Sequence, residues 1–200
     1  MTVKTIVLGL YGTNCYIVYD ENTKNGVVID PGYTPELVLQ ELETLGVKLQ
    51  AVLLTHGHFD HVGGARFLHE TTGCKVYLNK KDTALPEYLT AGPLCYTDFY
   101  GEGTELTFDS LHFRVIETPG HTPGSVCLFC EDTLFSGDTL FKANCGRTDG
   151  PGGSWKEICS SLNRLSQISN DYTVLSGHGE ATTLRREQLY NSFMLEAGRR

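Results

Sequence analysis

Basic residues are scarce in this chain. Lys and Arg number 16 against 24 Asp and Glu in 200 residues, a formal charge of −8. A nucleic-acid backbone needs clustered cations, so this balance argues against such a partner. The basic pairs Lys80-Lys81, Arg185-Arg186 and Arg199-Arg200 are scattered and read as solvated surface pairs. Long apolar runs are missing; none approaches the ~18 residues of a membrane span. The N-terminal stretch has one early Lys and five apolar residues before polar Tyr-Gly-Thr-Asn, which is not the layout of a secretory signal. These absences predict a soluble, cytoplasmic protein. No repeat, linker or low-complexity tract divides the chain, so residues 1–200 are expected to form one domain. The seven cysteines are odd in number and irregularly spaced, which excludes a complete disulfide framework. Cys127 and Cys130 form a CxxC, but in the strand-like "SVCLFCED" alternation puts the sulfurs on opposite faces, as buried small hydrophobes.

What is present is a run of short elements. Strand-like "CYIVYD" (15–20) and "GVVIDPG" (26–32) precede a helix, "TPELVLQELETLG". Thr34 can cap it, Pro35 suits its first position, Gly46 suits its stop, and Val38, Leu42 and Leu45 share a face. The apolar run 49–56 predicts a strand buried on both faces. Residues 61–73 read as a helix and 74–79 as a strand. Residues 92–103 are rich in Gly and aromatics without periodicity, and are expected to overhang the site. Four strands follow in succession, then a helix capped by Ser154, a strand "YTVLSGHG" and a last helix beginning at Thr182. Two sheets flanked by helices accommodate this order.

The densest chemistry lies in "LTHGHFDHVGG", where His56, His58, Asp60 and His61 give H-x-H-x-D-H. Imidazole is the commonest metal ligand, and zinc accepts both nitrogen and carboxylate oxygen. In extended backbone His56 and His58 point the same way and can grip one ion. Asp60 and His61 follow a change of direction and can serve a second. Three later apolar runs each end in a glycine-rich turn bearing a ligand type: His121, Asp138 and His178. Strand-end turns present ligands accurately from a rigid sheet. Seven ligands exceed what one tetrahedral ion uses but suit two ions sharing a bridging carboxylate, ~3.5–4 Å apart. His69 and His112 lack this context and read as helix-surface and strand residues.

Together these residues resemble the metallo-β-lactamase superfamily, from about Cys15 to Phe193. The resemblance implies an α/β (α+β) fold, a four-layer αββα sandwich with the site along one edge of its sheets. Within it, "SGDTLFKANCGRTD" and "SGHGEATT" are similar to the hydroxyacylglutathione hydrolases, or glyoxalase II. That likeness puts His56, His58 and His121 on one ion and Asp60, His61 and His178 on the other, with Asp138 bridging. Asp60 and His61 are assigned to catalysis as well as to metal binding. The implied cofactors are two divalent ions, zinc foremost, with iron or manganese open. Arg147 falls where the family places a basic residue against the glutathione carboxylate. Asp30, in "DPG", is expected to support the site by hydrogen bonding. Two departures stand out. The chain ends before the helical extension that supplies further glutathione contacts. Asp149 and Glu180 stand where the family's flanking tyrosines would be, and acidic residues there disfavour an anionic tripeptide. The implied activity is hydrolysis of S-lactoylglutathione or a related acyl thioester, a small-molecule substrate whose thiolate, with pKa near ~8.5, leaves without a strong acid. A mononuclear iron persulfide dioxygenase using His56, His121 and Asp138, a lactonase, and a non-catalytic binding module are the alternatives. A β-lactamase is disfavoured by the lack of an export signal and by Asp138, a nuclease by the charge, and a flavin-linked diiron reductase by His58 in place of Glu.

Overall fold

Alternation along one strand, β2 (Thr13–Tyr19), sets the layers. Its Cys15, Ile17 and Tyr19 join one apolar cluster and its Tyr16 and Val18 another. This is the signature of a strand covered on both faces. The computed structural model describes residues 1–90 and 92–198; Ala91 and the last basic pair, Arg199-Arg200, lie outside the described residues. The first sheet contains β1 (Thr2–Leu8), β2, β3 (Asn25–Ile29), β4 (Lys48–Leu53), β5 (Lys75–Leu78) and β6 (Asp98–Phe99) in that order. The second contains β7 (Glu105–Phe108), β8 (Leu111–Glu117), β9 (Val126–Cys130), β10 (Thr133–Gly137), β13 (Thr173–Ser176) and β14 (Thr182–Thr183), ordered β14-β13-β10-β9-β8-β7. A small hairpin, β11 (Leu140–Phe141) and β12 (Asn144–Cys145), lies between β10 and β13 in sequence.

Between the sheets, Val27, Ile29 and Leu53 meet Phe113, Leu128 and Phe135. Outside the first sheet lie α1 (Pro35–Leu45), α2 (Phe59–Val62) and α3 (Ala65–Thr72), which bury Val38, Leu42, Val62 and Leu68 against it. A short α4 (Glu87–Thr90) follows β5. Outside the second sheet lie α5 (Trp155–Ser166), α6 (Leu184–Tyr190) and α7 (Ser192–Ala197), held through Ile158, Leu162, Leu184 and Met194. The result is the expected αββα sandwich, and each large apolar side chain buried in it contributes roughly 1.5–3 kcal/mol. Cys127 packs with the helices and Cys130 between the sheets, on opposite faces as alternation requires.

Several local expectations change. Thr34 does not cap α1: its φ is 68° and its side chain makes no cap hydrogen bond, while Pro35 and left-handed Gly46 hold the ends as read. The helix expected over 61–73 is two, broken at Gly63-Gly64, where the Gly32 carbonyl packs so close that a Cβ would meet it at 3.0 Å. The last helix breaks at Asn191, whose side-chain oxygen accepts the Phe193 and Met194 N–H groups and restarts the coil. Strand β1 carries no clear sequence signal because it is a half-exposed edge strand without clean alternation. None of residues 92–103, expected to overhang the site, lines the cleft above it. They carry β6, and Tyr100 donates a buried hydrogen bond to the Leu54 carbonyl. Among the described residues no helix is long and apolar enough to cross a membrane.

Candidate metal centre

The C-terminal ends of β4, β10 and β13 and the turn after β8 meet at one edge of the sandwich, bringing all seven expected ligands together. His56, His58 and His121 form one group whose ligand atoms lie within 4.8 Å of one another; Asp60, His61 and His178 form a second. Asp138 sits between them. Its Oδ1 is 3.6 Å from His61 Nε2, and its Oδ2 is 3.5 Å from His121 Nε2 and 3.6 Å from His178 Nε2. Asp60 Oδ2 lies 3.3 Å from His178 Nε2 and 3.6 Å from His61 Nε2.

Glycine makes this closeness possible. Gly137, at φ +47°, turns β10 toward the site, and a Cβ there would meet Thr55 Oγ1 at 2.5 Å. A Cβ on Gly177 would stand 2.2 Å from Asp138 Oδ1 and 2.7 Å from His61 Cε1. Any side chain at Gly177 would fill the cradle.

Outer hydrogen bonds fix which ring nitrogen faces inward. His121 Nδ1 donates to the Arg147 carbonyl at 2.8 Å and His178 Nδ1 to the Tyr11 carbonyl at 3.1 Å. A carbonyl can only accept, so both Nδ1 atoms carry hydrogen and both Nε2 atoms face the centre. Asp30 performs the same service twice. Its Oδ2 receives His61 Nδ1 at 2.9 Å and the Thr55 hydroxyl at 2.6 Å, and its Oδ1 receives the Thr55 N–H. Having spent its one hydrogen on Asp30, Thr55 Oγ1 accepts from His56 Nδ1 at 3.1 Å, which leaves His56 Nε2 bare. Asp30 groups geometrically with His56 and His61, but these bonds commit its carboxylate to support, as expected.

Among the described residues two buried side-chain polar atoms have no hydrogen-bond partner: His56 Nε2 and Asp138 Oδ1. Buried polar atoms are almost always paired, so such orphans call for an explanation. The first belongs to the His56, His58 and His121 group and the second faces His61 of the other, and both are good electron-pair donors. The residues present therefore fit two cations.

Electrostatics divide the two groups. Burial, reinforced by the neighbouring histidines, holds His56 well below its ordinary value and pulls His58 down to about 4. Both are neutral and ready to donate at neutral pH. In the second group burial opposes charge but loses. Asp138 and Asp30 raise His61 to about 9, and the Asp60 hydrogen bond raises His178. The same bond and the charges of both histidines hold the Asp60 carboxyl far below its usual range despite burial. In the metal-free protein His61 is thus an imidazolium at neutral pH, contributing stability that is complete below its ordinary 6.5 and lost as pH rises through about 9. A metal must displace that proton. Loading the site at pH 7 is expected to release at least about one proton per chain, and apparent affinity to rise between pH 6.5 and 9. Calorimetry in buffers of different ionisation enthalpy measures this; no proton release would contradict it.

The sequence profile described as the metallo-beta-lactamase superfamily matches residues 8–178. The chain belongs to the metallo-beta-lactamase superfamily. It is a metal-dependent hydrolase of that superfamily. The Haemophilus influenzae hydroxyacylglutathione hydrolase GloC is 34% identical over 97% of this chain and 98% of its own. Two solved structures superpose with a TM-score of 0.86. One, described as the B3 metallo-beta-lactamase BLEG-1, is 35% identical over 96% of this chain and 99% of its own. The other, TTHA1623 in a di-iron-bound form, is 36% identical over 96% and 100%.

Within this superfamily fold the centre forms the floor of a cleft of about 490 Å³. Tyr11, Phe59, Leu89, Phe141 and Pro151 supply apolar walls. Arg147 lines the cleft, but its guanidinium forks onto Asp149 at 2.7 and 3.1 Å and is largely exposed. Lys142 pairs with Glu180 at the neighbouring edge. Cys145 also lines the cleft; burial and nearby Cys159 push its thiol up to about 11, so it is no thiolate. His69 and His112 lie elsewhere, bonded to the Cys74 carbonyl and beside Thr107.

Sequence reasoning missed the braces. Asp82 is fully buried in a 3-10 turn after β5 and joins the two loops that carry His58 and His121. Gly57 N–H donates to its Oδ2 at 2.7 Å, Thr122 Oγ1 to the same oxygen at 2.8 Å, and Gly124 N–H to its Oδ1 at 2.6 Å. Asn14 donates to the Ser176 and Gly179 carbonyls and holds the His178 turn against β2. Neither residue carries a local motif. The one sequence signal is the glycine at 124, where a Cβ would stand 2.5 Å from Asp82 Oδ1.

Proposed function

We propose that this chain is a binuclear thioesterase acting on acyl thioesters, the class to which S-lactoylglutathione belongs. The observation that carries this reading is the pair of ligand groups with Asp138 set between them. Two divalent ions held by His56, His58 and His121 and by Asp60, His61 and His178 would supply Lewis acidity, acidifying water and stabilising charge on a carbonyl oxygen. Mixed nitrogen and oxygen donors suit zinc, iron or manganese. The chain's own part is preorganisation. Asp30, Thr55 and the Arg147 and Tyr11 carbonyls hold His61, His56, His121 and His178 each in one tautomer. The apolar walls offer a surface for an apolar part of the substrate. In the hydrolysis a water oxygen bonds to the acyl carbon and the C–S bond breaks with its electron pair on sulfur. The proton from water passes to solvent or to the thiolate, which needs no general acid.

Support comes also from the relatives: GloC is named a hydroxyacylglutathione hydrolase, and TTHA1623 holds two irons. A single-iron dioxygenase on His56, His121 and Asp138 would leave the Asp60, His61 and His178 group idle. The test is thiol release from a thioester panel by metal-loaded protein. Turnover that vanishes on chelation and returns with metal is expected; loaded protein no faster than metal-free protein contradicts the reading.

A further inference from the structure

We infer that the substrate's group at the cleft rim is uncharged and apolar, so that the thioester acted on is not that of an anionic tripeptide. The inference rests on the thioesterase reading and narrows it. A glutathione thioester carries two carboxylates and one ammonium, a net negative charge that unpaired cations at the rim would favour. The described residues offer Arg147 in the cleft lining and Lys142 beside it. Each already faces a carboxylate. Arg147 holds Asp149 through both Nε and Nη2, and Lys142 holds Glu180. Both pairs are exposed and individually weak, so either cation can swing free. The carboxylates remain all the same. Asp149 is two residues from Arg147 and Glu180 two from His178, so among the described residues these two cations are matched by two carboxylates.

The rest of the wall suits an apolar group. The Tyr11 ring meets Phe59 edge-on at 5.1 Å, and Tyr33 backs Phe59 at 5.8 Å. Phe141 stands 6.3 Å from His178 across the floor, with Leu89 and Pro151 alongside. Aromatic and aliphatic walls above a polar floor are the form of a site that takes an apolar chain and orients one polar group. Asp149 is therefore a specificity residue that acts by cancelling Arg147.

The experiment compares kcat/KM of the metal-loaded protein for S-lactoylglutathione, S-lactoyl-N-acetylcysteamine and S-hexanoyl-N-acetylcysteamine. The uncharged esters are expected to be favoured at least about tenfold, with hexanoyl at least equal to lactoyl. Asp149→Ala should shift the ratio toward the glutathione ester by about tenfold, mainly through its KM, and the double variant with Arg147→Ala should return it. Asp149 is exposed, and a merely structural role would not move that ratio. A wild-type preference for the glutathione ester, or a ratio that Asp149→Ala leaves in place, overturns the inference while leaving the thioesterase reading standing. Failure to cleave any of the three esters overturns both.

Discussion

Asp138→Asn is expected to lower thioester turnover about a thousandfold, or about 4 kcal/mol of transition-state stabilisation. The change keeps the side chain's volume, so the cradle formed by Gly137 and Gly177 is not overfilled. It removes the charge and one of two acceptor oxygens. Asp138 Oδ2 faces His121 in one group and His178 in the other, and Oδ1 faces His61. An amide offers one neutral oxygen and turns an N–H₂ donor toward whichever group that oxygen does not face. In the proposed site the variant should hold one ion firmly and the second poorly, and kcat should fall more than KM rises. Circular dichroism of the metal-free variant separates this from misfolding. A folded variant that keeps two ions and turns over within tenfold of the parent would show that Asp138 does not join the two groups.

Asp82→Asn is expected to weaken metal affinity and activity by about 10- to 100-fold, although Asp82 touches no ligand side chain. Its two oxygens accept three hydrogen bonds in a fully buried pocket. Asparagine has one acceptor oxygen and would point an N–H₂ at one or more existing donors. Each buried donor left unsatisfied costs about 1–3 kcal/mol. The strain falls on Gly57, between His56 and His58, and on Thr122 and Gly124, just past His121. The His56, His58 and His121 group should therefore lose its ion first. Thr122→Val, which removes one of the three bonds, should do less, about 1 kcal/mol. Competition with a chromogenic chelator measures both. If Asp82→Asn lowered the melting temperature but left metal affinity and kcat/KM unchanged, its role would be confined to stability.

Asp82 also marks where the sequence ceases to be readable. The motif from His56 to His61 is legible because all four residues fall within one turn after one strand. The turns at His121, Asp138 and His178 are legible because each couples a ligand type to glycine at the end of an apolar run. The braces are long-range: Asp82 reaches back 25 residues to Gly57 and forward 42 to Gly124, and Asn14 reaches 162 residues to Ser176. Nothing in "NKKDTA" separates a buried clasp from a surface carboxylate. The layers were legible for a similar reason. Strands buried on both faces read as apolar runs, and the amphipathic α1 and α5 carry one buried face each. Edge strand β1 and the breaks at Gly63-Gly64 and Asn191 depend on what packs beside them, and local propensity does not carry that. Arg147 is the mixed case. Its place in the cleft is what the family resemblance implies, but its engagement with Asp149 is a property of the fold.

The seven residues are proposed to hold two ions. Titrating metal-free protein with a divalent metal, while following thioester turnover, tests it most directly. Two ions bound per chain at saturation, with turnover rising only as the second site fills, is the predicted result. Saturation at one ion per chain with full turnover would contradict it.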